Sequence, residues 1–408
     1  MKKLHFFFLL LFSNFILLTS CSSNEETVLS ETKTNSNSST AKRPITTSPT
    51  VDANATAETR ALFTKLKTLG QTRFAIGQQD AFNSFYDNSS TESDIKKATG
   101  YDPAVLGIDF MFITDKNNNG QADNWFYQQE LKIINDVKAA YAKGMINTFS
   151  WHLGEPNRED NFYVSGMTEQ EKATAFRSIL PGGAKHSWYK SKLDKIASVI
   201  SNLRGSDGKL IPIIFRPFHE FDGSWFWWGA DYCTAQEYKT AYQFTVDYLK
   251  NTKGVHNILY AFSPNDSYTT SAGYLSRYPG DAYVDVLGMD NYSDFENKGQ
   301  VGSDQANAKL KMISDLAISK SKIAALTETG YRVTATTTPI SNWFSTYLYS
   351  ALTANNIQIS YVVFWNNSSD GYYVPTPSTS NVADFINFTN LPKSTLVNNL
   401  PNMYVLSN

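Results

Sequence analysis

Cysteine is nearly absent from this 408-residue chain, which contains only Cys21 and Cys233. Two cysteines cannot supply the several bridges of a disulfide-stapled domain, so an apolar core must provide the stability. Long basic runs are also absent, and 36 Lys and Arg against 38 Asp and Glu give a formal charge of −2. Nucleic acid is therefore not an expected partner. A hydrophobic fraction of 41% excludes a disordered or fibrous protein.

Aromatic residues, in contrast, are abundant. The chain has 8 Trp, 23 Tyr and 26 Phe, which together make up 14% of its residues. This is more than a core alone requires. Two interpretations stay open at this point: an aromatic-rich core, or stacking surfaces for planar or sugar-like ligands.

The N-terminus has the pattern of an export signal. Two lysines precede an apolar run over residues 6–18, which is too short for a membrane span and leads into Leu18-Thr19-Ser20-Cys21. This tetrapeptide resembles the bacterial lipoprotein cleavage motif, which implies a signal peptide over residues 1–20 and lipidation of Cys21. The acidic stretch after it resembles the export tag of Bacteroidetes surface lipoproteins. We therefore expect a lipid anchor in the outer membrane, at the cell surface or on its periplasmic face; a plain secretory signal is the alternative.

Residues 21–60 are predicted to form a flexible tether. They are dominated by Ser, Thr and Asn, and the first aromatic residue after Cys21 is Phe63. Such a composition cannot bury enough apolar surface to order itself. Neither a second linker nor an internal repeat follows, so residues 61–408 are predicted to form a single domain, beginning between Ala55 and Ala61.

Eight short apolar runs, rich in Val, Ile and Phe, recur along this domain with room for a helix between them. The runs are Phe74–Asp80, Ala104–Asp109, Met145–His152, Leu210–Glu220, Asn257–Asn265, Val284–Tyr292, Ile323–Glu328 and Tyr361–Asn366. Helical apolar spacing marks Trp188–Leu203 and Ala235–Leu249. Near-continuous apolar strands that alternate with helices indicate a parallel sheet buried on both faces. Eight such units predict an α/β fold of the closed (β/α)₈ (TIM) barrel type, because an open nucleotide-binding sheet favours a G-x-G-x-x-G turn, which is absent.

Nearly every run ends in a polar or aromatic residue suited to ligand contact. These residues are Asp80, Asp109, His152, Glu220, Asn265, Asp266, Asp290, Tyr292, Glu328 and Trp365. The carboxyl ends of barrel strands are where barrel enzymes assemble their active sites.

Two segments carry the strongest chemical signal. Arg216–Gly229 places Glu220 directly after His219, with three tryptophans close behind, and Leu326–Gly330 places Glu328 at the end of the seventh strand. Two carboxyl groups on one rim are what glycoside hydrolysis requires, one protonated and one ionised. Their separation distinguishes a retaining from an inverting enzyme, and sequence does not supply it.

These segments, together with Ser150–His152, Gly288–Tyr292 and Phe364–Trp365, resemble glycoside hydrolase family 26, whose best-known members are β-mannanases. The resemblance implies an acid/base at Glu220, a nucleophile at Glu328 and retention of anomeric configuration. It also implies an endo-acting β-1,4-mannanase that cleaves mannan, galactomannan and glucomannan. A β-linked mannose polysaccharide is then the expected partner of a monomeric chain that needs no cofactor or metal.

The resemblance also assigns substrate contacts. It implies that His152 and His219 contact hydroxyls of the sugar before the scissile bond, that Trp225 borders this subsite and that Trp365 forms its floor. A purely structural imidazole is the alternative for each histidine.

Two further residues are expected at the site from their chemistry. Tyr292 can donate a hydrogen bond to Glu328 and favour its ionised form, whereas the tryptophan-lined surroundings of Glu220 disfavour ionisation. Arg216 is expected to position Glu220 or Glu328 through charge-assisted hydrogen bonds.

Several alternatives stay open. The same resemblance covers β-glucanases and β-xylanases, and loops of unknown shape decide between endo cutting and exo release of mannobiose. A surface glycan-binding lipoprotein without activity is a third possibility, although both carboxylates are present. A metal-dependent barrel hydrolase is disfavoured because Gln78-Gln79-Asp80 stands where the H-x-H of such enzymes is usually found.

A loop over Asp115–Asp123 imitates a calcium-binding loop. Oxygen-bearing side chains occupy positions 1, 3, 5 and 9 and glycine position 6, but position 12 is Phe126 in place of a bidentate glutamate. We therefore expect a surface turn.

Overall fold

Eight parallel strands close into a barrel, as the sequence predicts. A computed structural model describes residues 49–82, 92–296 and 298–406. Each strand pairs with the next along the chain, and β8 pairs with β1. The strands are β1 (Phe74–Gln79), β2 (Val105–Asp109), β3 (Ile146–Ser150), β4 (Ile213–Arg216), β5 (Ile258–Phe262), β6 (Val286–Asn291), β7 (Ile323–Thr329) and β8 (Tyr361–Phe364). A short β9 (Ser394–Thr395) adds to the lower end of β1.

Helices surround the barrel. In the described residues they are α1 (Ala57–Gly70), α2 (Asp94–Thr99), α3 (Met111–Thr114), α4 (Trp125–Ala142), α5 (Glu169–Ile179), α6 (His186–Asn202), α7 (Ala235–Asp247), α8 (Ser271–Tyr274), α9 (Gly299–Lys320), α10 (Tyr349–Thr353) and α11 (Val382–Asn390). Local sequence sets several of their starts. Thr168 and Thr234 each form a capping box with the glutamate three residues later, at α5 and α7.

The apolar strand runs are explained by burial on both faces. Along β5, Leu259 and Ala261 belong to the barrel interior, while Tyr260 and Phe262 belong to the layer between strands and helices. Because alternate residues enter different apolar layers, the strand needs hydrophobic side chains throughout. This is why the strands could be recognised as short continuous runs.

The predicted boundaries were too long where polar residues follow a strand. The run Leu210–Glu220 was expected to be one strand, but β4 ends at Arg216. Phe218 and Glu220 have φ of 52° and 51°, a left-handed conformation that a strand cannot contain. Glu220 therefore lies in a turn above the barrel, held by a hydrogen bond from its backbone N–H to the carbonyl of Ser263.

Structured residues precede the predicted start of the domain between Ala55 and Ala61. Helix α1 starts at Ala57, and its Leu62 and Leu66 pack against the interior residues at the lower end of the barrel. Before it, the N–H of Val51 donates to buried Asp285. The expected tether over residues 21–60 therefore overlaps a structured segment from residue 49 onwards, because buried carboxylates satisfy its backbone.

Other expectations lie outside the described residues. These are the signal peptide over residues 1–20, lipidation at Cys21 and the tether up to residue 48. Within the described part of the chain, no helix is long and apolar enough to span a membrane.

The Asp115–Asp123 loop turns on its own side chains. The carboxylate of Asp115 accepts hydrogen bonds from the backbone and side chain of Asn117, and Asn118 donates to Glu130 at 2.7 Å while accepting from the N–H of Gly120. Two oxygens at ligand positions of a calcium loop are thus used to close the turn, that of Asp115 and that of Asn119, which accepts from the N–H of Gln121.

Candidate active site

The carboxyl ends of the strands bring the predicted residues to one rim. Arg216 ends β4, Glu328 is the penultimate residue of β7, and Tyr292 follows β6 directly. His152 and Trp365 lie just beyond β3 and β8. Residues separated by more than two hundred positions in sequence therefore face the same opening.

Arg216 connects the acidic groups of this rim. Its buried guanidinium donates to the Asp290 carboxylate at 2.7 Å, to the Glu328 carboxylate at 2.7 Å and to the Ser263 hydroxyl at 2.7 Å. With only 2% of its surface exposed, Arg216 holds Glu328 in place and is not open to a substrate. It was predicted to position one of the two glutamates, and the structure places it on Glu328.

A β-bulge in β7 sets the orientation of the Glu328 side chain. The pairing of β6 with β7 passes from Met289–Leu326 to Asp290–Glu328, so Thr327 is the extra residue. This lets consecutive side chains reach the same interior network, since Thr327 donates to Asp290 while Glu328 accepts from Arg216. A regular strand would point one of them away.

Glu220 lies in a different environment. Its carboxylate accepts one hydrogen bond, at 2.8 Å, from the indole N–H of Trp225, whose own surface is 36% exposed. Removal from water and the negative charge of Asp290 raise the pKa of Glu220 to about 8, although Trp225 and Arg216 act against this shift. Glu220 is therefore protonated at neutral pH.

Glu328 is buried as well, but it has stronger partners. Burial and the Asp290 charge hold the pKa of Glu328 well above its usual value, although Arg216 opposes them, so the two glutamates compete for a proton. Glu328 accepts a charge-assisted hydrogen bond from Arg216 and one from the Tyr292 hydroxyl at 3.3 Å. Because a guanidinium stabilises a carboxylate more than an indole does, the negative charge of the pair resides on Glu328 and the proton on Glu220.

The two histidines form a connected pair. His152 Nε2 lies 3.2 Å from His219 Nε2, and His152 Nδ1 lies 2.6 Å from the Asp109 carboxylate. Burial would raise the pKa of Asp109, but His152 and the Ser150 hydroxyl lower it, so Asp109 is ionised. Burial also lowers the pKa of His219 well below its usual value, so this imidazole is neutral.

His152 and Trp365 are both partly exposed, whereas His219 is 1% exposed. The indole N–H of Trp228 donates to the backbone carbonyl of His219 at 2.7 Å, which fixes the position of His219 behind the cleft. The ring of Trp365 lies edge-on to that of His152, with centroids 6.0 Å apart. His152 and Trp365 therefore border the open cleft, and His219 supports His152 from behind.

Sequence reasoning did not assign roles to four residues of this network. For Asp290 and Asp109 the sequence signal was their position as polar residues at the ends of apolar runs. Ser263 and Thr327 carried no sequence signal of a role in the site, because a single hydroxyl at a strand end is common. Only the folded barrel shows that both contact the Arg216–Asp290 ion pair.

Side-chain donor atoms of His219, Asp290 and Glu328 lie within 4.8 Å of one another. Such a group resembles a metal site, but Arg216 already donates to both carboxylates. A cationic side chain thus already pairs with both carboxylates, and this disfavours a metal ion at the same group.

The family can now be assigned. The profile of glycosyl hydrolase family 26 matches residues 51–344, which include seven of the eight barrel strands, β1 to β7. The chain belongs to glycosyl hydrolase family 26. In this family 26 chain, the matched region begins at the Val51 segment, in agreement with the early start of the folded domain.

Individual relatives agree with this assignment. A mannan endo-1,4-beta-mannosidase of Bifidobacterium adolescentis is 37% identical over 84% of this chain, which spans 35% of that longer protein. The structure of GH26C from a Muricauda species has 52% identity and a TM-score of 0.87, covering 88% of this chain and 96% of that one. A modular endo-beta-1,4-mannanase of Cellulomonas fimi has 33% identity and a TM-score of 0.80, covering 88% and 80%.

The hydrogen bond from Trp225 sets a testable feature of the pH profile. Since this N–H favours the ionised form of Glu220, Trp225→Phe should raise the pKa of Glu220. We expect the alkaline limb of kcat/KM, near pH 8 in the wild type, to move upward by about 0.5–1 pH unit. Trp125→Phe is the control, because Trp125 is 53% exposed and is not hydrogen-bonded to either glutamate. A limb that stays in place in Trp225→Phe would contradict this account of Glu220.

Proposed function

We propose that this family 26 chain is a retaining endo-β-1,4-mannanase. The observation that carries the proposal is the unequal pair of carboxyl groups on one rim: Glu220, protonated beside Trp225, and Glu328, ionised beside Arg216. Glycosidic cleavage needs one group of each kind. The relatives named above as mannanases supply the choice of sugar.

In the first step Glu328 attacks the anomeric carbon of the sugar that lies over Trp365. The bond to the leaving oxygen breaks as that oxygen takes the proton of Glu220. The Glu328 carboxylate thereby becomes a neutral ester, and Glu220 becomes a carboxylate. Arg216 and Tyr292 hold the attacking oxygens in place. The product is a glycosyl ester of Glu328.

In the second step Glu220 acts as a base. It takes a proton from a water molecule, whose oxygen attacks the same anomeric carbon and displaces the Glu328 carboxylate. Two displacements restore the original anomeric configuration and return both glutamates to their starting protonation states. The environment that raises the pKa of Glu220 serves both steps, because the same group must give up and regain a proton near neutral pH.

The choice of polysaccharide is tested by incubating the purified chain with mannan, galactomannan, lichenan and xylan and sizing the products. We expect mixed oligosaccharides from mannan at early times and slower release from galactomannan. Cleavage of lichenan or xylan in preference to mannan would replace the mannanase assignment with a glucanase or xylanase. Release of mannobiose alone from the start would replace endo with exo action.

Substitution of each glutamate distinguishes their roles. Glu328→Ala should abolish turnover with substrate affinity largely kept, because the nucleophile is lost. Glu220→Ala should lower kcat on mannan by about 10²–10⁴-fold and recover most of it on an activated aryl glycoside, whose leaving group needs no proton. Glu169→Ala is the matched control, since its carboxylate is exposed on α5. Equal losses on both substrates for Glu220→Ala would exclude it as the acid.

We also propose that the mature chain is anchored by lipid at Cys21 in the outer membrane. Cys21→Ser should abolish incorporation of labelled palmitate and release the protein from the membrane fraction. Cys233→Ser should still incorporate palmitate and stay in the membrane fraction. Labelling of Cys21→Ser at the wild-type level would exclude the anchor, and protection from external protease in whole cells would favour the periplasmic face.

A further inference from the structure

Four aromatic side chains of the described residues are markedly exposed. Trp125, Tyr163 and Trp225 follow β2, β3 and β4, so they lie on the side of the two glutamates. Tyr101, which is 51% exposed, precedes β2 and lies at the opposite, lower end of the barrel. The proposed cleavage therefore gives no role to Tyr101.

A hollow of about 320 Å³, open to solvent, adjoins Tyr101. Three segments border it: the end of α2, the end of α11 and the turn that follows β9. Besides Tyr101, its lining consists of two aliphatic side chains, two threonines and three asparagines. We call it the Tyr101 hollow.

None of the described residues that line the Tyr101 hollow carries a charge. Two other hollows at the lower end contain two lysines each, Lys67 and Lys322 in one and Lys143 and Lys209 in the other. An anionic ligand would find its counter-charge in those places and not beside Tyr101. A purely apolar ligand would bury the three amides without hydrogen bonds. The lining thus favours a neutral ligand that is rich in hydroxyl groups.

The ring of Tyr101 is open on its faces. Among the described residues, no aromatic ring and no cationic side chain packs against it. Its backbone is fixed, because Gly100 ends α2 in a left-handed conformation and the N–H of Tyr101 donates to the Thr99 hydroxyl at 3.3 Å. An exposed ring on a fixed backbone is suited to stacking on the apolar C–H face of a sugar ring.

Two amides stand beside this ring. Asn398 and Asn399 lie in the turn after β9, and the N–H of the preceding Val397 donates to the carbonyl of Asp102, next to Tyr101, at 3.2 Å. Both asparagine side chains are exposed, and neither has a hydrogen-bond partner within the described part of the chain. Their donors and acceptors are therefore free for a ligand, on a turn that is tied to the Tyr101 segment.

The end of α11 supplies the third amide and part of the apolar surface. The side-chain N–H of Asn390 donates to the carbonyl of Ile386 at 3.0 Å, which leaves its oxygen as an acceptor. Ile386 is 36% exposed, whereas Leu396 is 4% exposed and forms the floor. An aromatic ring, a small apolar floor and several amides together match a sugar, which presents both C–H groups and hydroxyls.

The barrel wall separates this place from the catalytic cleft. Tyr101 precedes β2, whereas Asp109 at the other end of β2 contacts His152 of the cleft. The five residues of β2 span about 16 Å. A sugar at Tyr101 is therefore not the sugar that is cleaved, and it belongs to a distant part of the same polymer or to a neighbouring chain.

We propose that the Tyr101 hollow is a second glycan-binding site, remote from the catalytic cleft, which holds the enzyme on a neutral β-linked polysaccharide. In this site Tyr101 stacks on one sugar, and the amides of Asn390, Asn398 and Asn399 bind its hydroxyls. The choice of β-mannan as that polysaccharide rests on the proposed function.

Retention on insoluble mannan tests the site. Glu328→Ala/Trp365→Ala serves as the parent, because it lacks the nucleophile and the floor of the cleft, so the polymer stays intact and binding by the cleft is weakened. Adding Tyr101→Ala, or Asn398→Ala with Asn399→Ala, should raise the Kd for mannan about three- to tenfold. Adding Ile318→Ala is the control and should leave the Kd unchanged, since Ile318 is 53% exposed at the lower end but lies beside Lys67 and Lys322.

The same retention is measured on cellulose and xylan. Absence of Tyr101-dependent retention on all three polymers would overturn the proposal. Tyr101-dependent retention on cellulose or xylan alone would keep the site and replace mannan as its ligand. Hydrolysis of mannan by the wild type is measured separately, so a failed mannanase assignment is distinguished from a failed second site.

Activity supplies an independent readout. In the otherwise unchanged enzyme, Tyr101→Ala should keep kcat/KM on a β-1,4-linked manno-hexasaccharide and lower the initial rate on insoluble mannan about two- to fivefold. Equal losses on both substrates would overturn the proposal, because they would place the effect in the cleft or in the fold. A change of oligomeric state in Tyr101→Ala, measured by sedimentation, would identify the hollow as a contact between copies of this chain and would also overturn it.

Discussion

The buried ion group of Arg216, Asp290 and Glu328 is the interaction on which the rest of the site depends. One guanidinium faces two carboxylates inside the barrel, which leaves a net negative charge in a region of low polarity. A third ionised carboxyl group nearby would be costly, so Glu220 retains its proton. The proposed division of the two glutamates into acid and nucleophile thus follows from charge balance, and the burial of Glu220 reinforces it.

Irregular backbone geometry positions Thr327, Glu328 and Glu220 around this ion group. The bulge at Thr327 lets two consecutive residues of β7 enter the same network. The left-handed conformation of Phe218 and Glu220 turns the chain sharply after β4, and the bond to Ser263 fixes that turn. Both features depart from regular strand structure at the positions where chemistry is proposed, as is common at functional sites.

The barrel is asymmetric around its rim. On the side of α6, apolar residues fill the space between helix and strands, whereas on the side of α4 a cavity replaces them.

The sequence alone determined the barrel, because apolar runs buried on both faces and helical spacing between them are local patterns. It also indicated the two glutamates, since each stands at the end of an apolar run within a distinctive segment that resembles a known family. It could not place the limits of β4, the early start of the domain or the partners of Arg216. Those depend on contacts between distant strands: Asp285 accepts from Val51, and Ser263 and Thr327 meet at Asp290. Only closure of the sheet brings such residues together, and no local pattern in the chain records it.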